Sequence, residues 1–373
     1  MSQLLSSLQI RDVTLRNRLV VSPMCQYSAI HGLANDWHFT HLSRFALGGF
    51  GTVMVEATGV TPEARITYGC LGLWDDAQIA PLARIAQFVK SQGAAAAIQI
   101  GHAGRKASTP LWWRGGFTET EAEKPGVGFE HWQPVGPSPV AQMDHPDYQV
   151  PRELTLSEVQ SLPTRFAEAL TRADRAGFDI VEIHGAHGYL INQFLSPIAN
   201  RRTDAYGGSR LNRMRLALEI IEASRAVWPA GKPLFLRLSV QDAIPGGWGV
   251  DDTLALVSEA TLRGVDVIDC SSGGFVGAAI TPVPGYQVPL AKAVRQTGAR
   301  TMAVGLITTP EQAEAVLTSG SADLVALGRT ALDDPNFPVH AAKALGDTTD
   351  FWPKQAGFAV RLRDAVLAKA VQA

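Results

Sequence analysis

The sequence predicts an α/β protein, a single-domain (β/α)8 barrel, on three observations. Eight short apolar runs recur along the chain, longer segments of helical period separate them, and the runs are apolar on both faces. A strand wetted on one face alternates apolar and polar residues, whereas a strand apolar on both faces belongs to a parallel sheet covered by helices. Eight such units favour closure into a barrel over an open doubly wound sheet. The length of 373 residues suits one large domain, because such barrels routinely exceed ~250 residues.

In chain order, a hairpin is expected around residues 8–15 and the first strand over 19–22, Leu-Val-Val-Ser. A helix over 37–47 leads to strand two at 52–56, and a helix over 79–92 to strand three at 95–100. Strand four, 180–184, follows a helix over 156–176 that stops at Gly177, since a residue without Cβ accepts the left-handed turn of a helix end. Helices over 211–227, 252–263, 286–297 and 310–318 then alternate with strands five to eight at 234–239, 267–271, 301–304 and 324–327. Gly264, Gly298 and Gly320 punctuate the last three helices. Glu56, Glu182 and Arg237 lie inside strand runs, which fits a barrel interior that pairs a few charges or, as well, salt bridges at strand ends.

The spacing breaks once, between 101 and 153. Trp112-Trp113, Gly115-Gly116, Trp132 and a run of prolines occupy this stretch without a helical period, which reads as a capping excursion. The tail, 350–373, carries an alanine-rich helix over 356–370 suited to packing or oligomer contact.

Composition excludes several classes. Hydrophobic residues make up 46% and charged residues 18%, and 33 basic against 35 acidic residues leave a net charge of −2. No basic excess asks for nucleic acid. No apolar run approaches the ~18 residues of a membrane span, and the opening residues lack the basic and apolar regions of a signal peptide. Three widely spaced cysteines, Cys25, Cys70 and Cys270, form neither a disulfide framework nor a CxxC site. A cytoplasmic protein is expected.

Barrel enzymes carry their chemistry at the carboxyl ends of the strands. Ser22-Pro23-Met24-Cys25-Gln-Tyr27 follows strand one, Ala57 follows strand two, and Gln99 ends strand three ahead of His102-Ala-Gly-Arg-Lys106. His184-Gly-Ala-His187-Gly-Tyr189 follows strand four, Arg237 lies in strand five, and Ser272-Gly-Gly274 follows strand six. Gly305 follows strand seven and Gly328-Arg329 strand eight, the corner where such barrels bind phosphate. Two imidazoles and a phenol after strand four supply donors for a carbonyl oxygen and a proton donor beside it. An isolated HxxH is also compatible with buried structural histidines or metal ligands.

Two other features invite a functional reading and deserve a plainer one. Gly48-Gly-Phe-Gly51 imitates a dinucleotide loop but precedes a strand, so it reads as a helix stop. His38 and His41 share a helix face without a carboxylate at matching spacing, so they read as structural.

Taken together, Ser22-Pro-Met-Cys-Gln-Tyr27, His102-Ala-Gly-Arg-Lys106, His184-Gly-Ala-His-Gly-Tyr-Leu190, Gln193-Phe-Leu-Ser196 and Arg202-Thr-Asp-Ala-Tyr-Gly-Gly-Ser209 with Asn212-Arg213 resemble the old yellow enzyme family. The closest likeness is to the class with a cysteine beside the flavin, which includes xenobiotic reductases. The resemblance covers Leu4 to about Ala342.

That resemblance implies a (β/α)8 barrel with non-covalent FMN, reduced by NAD(P)H, that reduces the C=C bond of α,β-unsaturated carbonyl and related nitro compounds. Ser22, Pro23, Met24 and Cys25 are expected along the flavin ring, Ala57 and Gln99 in contact with it, and Arg237 near its N1 and C2 carbonyl. Gly305, Gly328 and Arg329 are expected at the phosphate, and Ser272, Gly273 and Gly274 nearby. His184 and His187 bind the substrate oxygen while hydride arrives from flavin N5, and Tyr189 protonates the α-carbon. A phenol of pKa ~10 is a weak acid toward water but adequate toward an enolate. Tyr27 adds a substrate contact, and the Cys25 thiol tunes the flavin. Some relatives pass a C-terminal residue into a neighbouring subunit, for which Trp352 and Lys354 are the nearest match, so a homodimer or homotetramer is expected.

Two other classes stay in view. A metal-dependent barrel hydrolase would use the histidines, but the chain lacks an HxH on strand one and paired carboxylates at strand ends. A flavin-binding sensor switched by Cys25 would have no use for the proton donor Tyr189.

Overall fold

The computed structural model describes residues 2–111, 131–143, 149–348 and 350–372. Trp112, Trp113, Gly115 and Gly116 of the capping excursion lie outside the described residues.

An antiparallel hairpin, β1 (Leu8–Ile10) and β2 (Val13–Leu15), precedes the barrel. The barrel strands are β3 (Leu19–Val21), β4 (Thr52–Gly59), β5 (Ala95–Gly101), then, beyond the short pair β6 (Val135–Gly136) and β7 (Arg152–Glu153), β8 (Ile180–Gly185), β9 (Leu234–Ser239), β10 (Val267–Ser271), β11 (Arg300–Ala303) and β12 (Leu324–Leu327). Eight parallel strands close in the order β3-β4-β5-β8-β9-β10-β11-β12, as the apolar runs predict. The helices are α1 (Asp36–Leu47), α2 (Ile79–Ser91), α3 (Leu156–Arg175), α4 (Leu190–Leu195), α5 (Arg210–Val227), α6 (Val250–Leu262), α7 (Val288–Arg295), α8 (Pro310–Thr318), α9 (Arg329–Asp333), α10 (Phe337–Ala344) and α11 (Lys354–Gln372).

Local chemistry sets the helix ends. The Thr155 hydroxyl accepts from Glu158 N–H while Glu158 Oε2 accepts from Thr155 N–H at 2.8 Å, a capping box that starts α3. Gly177 follows it at φ +84. Gly48 caps α1, the helix stop expected of its glycine-rich run. In α1, Asn35 N–H donates to His38 Nδ1 at 3.2 Å, and the His41 ring packs edge-on against Phe45 at 5.0 Å.

The structure departs from the sequence reading in several places. Strand β4 runs on to Gly59 through a register shift between Val55 and Thr58, where Thr58 Oγ1 donates to Glu56 C=O at 2.8 Å. The helices α4 and α10 span six and eight residues, too few to print a period in the chain. Helix α7 begins at Val288, since Val288 N–H closes a turn on Gly285 C=O at 2.9 Å.

Two apolar layers hold the barrel. One lies between strands and helices; the other fills the barrel floor with Val20, Met54, Ile180, Phe235, Val267 and Met302, closed from below by Ile10 and Leu15 of the hairpin. Burial of a side chain such as Phe235 contributes about 2 kcal/mol. The two-residue alternation of strands then places a polar layer above that floor. Gln99 Nε2 donates to Glu182 Oε1 at 2.7 Å, and Arg237 Nε lies 3.0 Å from Asp269 Oδ2. All four are buried. Asp269 had no place in the sequence reading, although it pairs in register with Arg237.

Candidate active site

Continuing the same alternation, Glu182 leads to His184, Arg237 to Ser239 and Asp269 to Ser271, so polar side chains crown the barrel at its carboxyl end. His184 stands in β8 in register with Arg237. His187 occupies the following turn at φ +61, with its N–H donating to Ser239 Oγ at 2.9 Å. Tyr189 caps α4. The His184 ring lies 5.2 Å from the His187 ring and 5.0 Å from the Tyr189 ring, so the three side chains converge.

A buried hydrogen-bond chain orients His187. Ser271 Oγ donates to Gln287 Oε1 at 3.1 Å, leaving its oxygen to accept from His187 Nε2, 2.7 Å away. Burial, assisted by the Arg237 charge, drives both imidazoles well below their ordinary pKa, so both are neutral donors at physiological pH. Burial raises the Tyr189 phenol, which therefore keeps its proton.

Lys106 fastens the two loops that face each other here. Its ammonium donates to His187 C=O at 2.9 Å and Gly274 C=O at 3.1 Å, and it sits 5.1 Å from the centre of the Tyr189 ring. Burial lowers its pKa to about 8, with Arg105 adding to the shift. Gln193 ties α4 to the same loop, donating to Gly188 C=O at 2.7 Å and Ala103 C=O at 3.2 Å. The positioning parts Ser239, Ser271, Gln287 and Lys106 had no assigned role in the sequence. The signal for the serines was there: each stands two residues beyond a charged strand residue.

Beside His187 opens a cavity of about 270 Å³ lined by Ser22, Met24, Arg237, Gly305, Gly328 and Arg329. Pro23 lies between two of these in the chain. Ala57 lines a separate narrow crevice with His102, His184 and Tyr189. Cys25 and Tyr27 pack in a cluster with Cys70 and Tyr189. Gln99 is engaged with Glu182 in the barrel axis. Gly274 is absent from the cavity lining and backs the His187–Gly188 turn instead. Among the described residues no group of three or more His, Cys, Asp or Glu is placed to hold a metal ion.

A family model described as the NADH:flavin oxidoreductase / NADH oxidase family matches residues 3–348. The chain belongs to this family. An NADPH dehydrogenase of Geobacillus thermodenitrificans (strain NG80-2) is 44% identical over 346 residues, covering 92% of this chain and 94% of the relative. The solved structure of morphinone reductase superposes with a TM-score of 0.74 at 27% identity, over 94% of this chain and 91% of that one. The old yellow enzyme from Trypanosoma cruzi, 23% identical, shares the fold with a TM-score of 0.75 over 92% of each chain. This old yellow enzyme family member is an NAD(P)H-dependent flavin oxidoreductase with FMN as cofactor.

The residues of the old yellow enzyme homologue fit that cofactor. Arg237 borders the cavity with its Nε held 3.0 Å from Asp269 Oδ2 and its Nη1 donating to Ser22 Oγ at 3.3 Å, which fixes a guanidinium cation where it suits an electron-rich ring edge. At Gly305, φ is +125 and an added Cβ would meet Gln287 Nε2 at 3.0 Å, so the backbone itself faces the cavity. Gly328 and Arg329 combine close backbone approach with a guanidinium, a donor set suited to a phosphate dianion. No helix among the described residues is long and apolar enough to cross a membrane.

Proposed function

We propose that this protein reduces the C=C bond of α,β-unsaturated carbonyl compounds and related nitro compounds. The observation that carries the reading is the convergence of His184, His187 and Tyr189, at ring separations of 5.2 and 5.0 Å, beside the cavity that suits FMN. Bound FMN, once reduced by NAD(P)H, supplies hydride to the substrate's β-carbon.

The chain's own residues do the rest. His184 and His187 donate hydrogen bonds to the substrate oxygen, His187 by turning its Nε2–H away from Ser271. Because both imidazoles are neutral, they withdraw the negative charge that grows on the oxygen without first protonating it. Tyr189, protonated through burial, delivers its proton to the α-carbon. Tyr27 contacts the substrate, and Ser22, Pro23, Met24 and Cys25 line the ring, with Ala57 and Gln99 around it. Arg237 holds the electron-rich edge of the cofactor, and Gly305, Gly328 and Arg329 its phosphate. We also infer a cytoplasmic homodimer or homotetramer, in which Trp352 or Lys354 approaches a neighbour's site.

An anaerobic titration tests the reading. The purified yellow protein is bleached by NADPH and regains its colour on addition of 2-cyclohexenone, with stoichiometric cyclohexanone. Colourless protein unable to take up FMN, or a bleached protein indifferent to every enone and nitroalkene offered, refutes it.

A further inference from the structure

Two thiols outside the proton-transfer machinery face one another. Cys25, partly exposed, lies in the loop after β3, and Cys70, buried, in the loop after β4. The loops are tied by backbone, with Ala29 N–H donating to Gly69 C=O at 2.8 Å. They touch so closely that a Cβ on Gly69 would come 2.3 Å from Tyr27 C=O. Across this seam the Cys25 and Cys70 side chains pack into one apolar cluster, near enough that each perturbs the other's ionisation. Cys70 Sγ also accepts from Thr67 N–H at 3.4 Å, with Thr67 Oγ1 at 3.6 Å.

We propose that Cys25 and Cys70 form a reversible peroxide-sensitive disulfide pair. Hydrogen peroxide is the oxidant, and dioxygen yields it when it takes two electrons from a reduced flavin. Cys25, the accessible sulfur, attacks one peroxide oxygen: an S–O bond forms, the O–O bond breaks, and the departing hydroxide takes the thiol proton as water. The Cys70 sulfur then attacks Cys25. The S–S bond forms, the S–O bond breaks, and the second hydroxide leaves as water with the Cys70 proton. Two sulfurs lose two electrons, and one peroxide becomes two waters. The neighbouring Cys70 sulfur and burial hold the Cys25 thiol protonated, so its access to peroxide, and not thiolate character, makes it the first sulfur to react. Burial of Cys70 opposes its ionisation, but the nearby Cys25 side chain and the hydrogen bonds from Thr67 prevail and bring its pKa to about 7, so thiolate is at hand to resolve the sulfenic acid. Cys270 is fully buried in β10, donating to Ile268 C=O at 3.5 Å, and takes no part.

Formation of the bond stands on the thiol geometry alone, whereas its effect on turnover rests on the reading that Cys25 lines the flavin. The holoenzyme is exposed to hydrogen peroxide, its thiols are counted after unfolding, and its peptides are mapped by mass spectrometry. Two of the three thiols are expected to disappear, with a Cys25–Cys70 crosslinked peptide lighter by two hydrogens, and dithiothreitol restores both. Cys70→Ser is expected to yield oxygen adducts on Cys25 in place of the crosslink, and Cys270→Ser to crosslink like the parent. Oxygen adducts on Cys25 beside a free Cys70 thiol in the parent protein, or retention of all three thiols, overturns the proposal. A crosslink that forms while flavin reduction by NADPH is undiminished keeps the disulfide and removes Cys25 from the flavin.

Discussion

Tyr189 holds a phenol whose proton has no competing acceptor strong enough to remove it, because burial penalises the phenolate. Lys106 stands 5.1 Å from the centre of its ring, yet spends its hydrogen bonds on the carbonyls of His187 and Gly274. The lysine therefore acts as a positioning residue, and the acid is the tyrosine. In the proposed reaction only the second half consumes a proton at carbon. Tyr189→Phe is accordingly predicted to leave flavin reduction by NAD(P)H within about twofold of the parent and to slow reoxidation by a poor enone about 100-fold. Stopped-flow measurement of the two halves separately checks this, and equal slowing of both removes Tyr189 from the acid role.

The turn after β8 and the loop after β10 work as one clamp. Gly274, at φ +114, presses its backbone against the neighbouring turn; a Cβ there would come 2.1 Å from the His187 carbonyl carbon and 2.4 Å from Gly188 N. Neither atom belongs to a flexible side chain, so the turn itself must move. Gly274→Ala is predicted to shift His187 off the shared site and weaken binding of a phenolic ligand about tenfold, about 1.4 kcal/mol, while the flavin stays bound. Titration of the ligand's long-wavelength absorption band measures it; unchanged affinity would show that the loops are not coupled. Such couplings were invisible along the chain, since His187 and Gly274 are distant in sequence and meet only through barrel closure. By contrast, the elements that carry them were legible. The runs at 180–184 and 267–271 were apolar enough to read as buried strands, and β8 and β10 match them to within a residue.

The molecule as a whole keeps three further imidazoles neutral besides the histidine pair. His38, His41 and His102 are buried, and burial lowers each to about 4. Between pH 6.5, the ordinary value, and about 4, the unfolded chain binds protons that the native protein refuses, so stability falls as pH falls through that window. The ceiling is about 1.4 kcal/mol per pH unit for each group. The urea midpoint is therefore predicted to be lower at pH 5 than at pH 7. Equal midpoints at both pH values would mean that these rings are hydrated in the folded protein.

Periodicity and glycine stops determined the barrel, because strand and helix periods are local properties of the chain that burial then rewards. Motifs at the strand ends likewise marked out His184, His187, Tyr189 and Arg237, since a barrel delivers every strand's carboxyl end to one face. The sequence could not decide which neighbour each group would meet. The Asp269 carboxylate beside Arg237, the Ser271–Gln287 chain behind His187, the Lys106 clamp and the facing thiols of Cys25 and Cys70 all join residues far apart in the chain. Only closure of the sheet brings them within a few ångströms, and hydrogen bonds and ion pairs act at that distance alone.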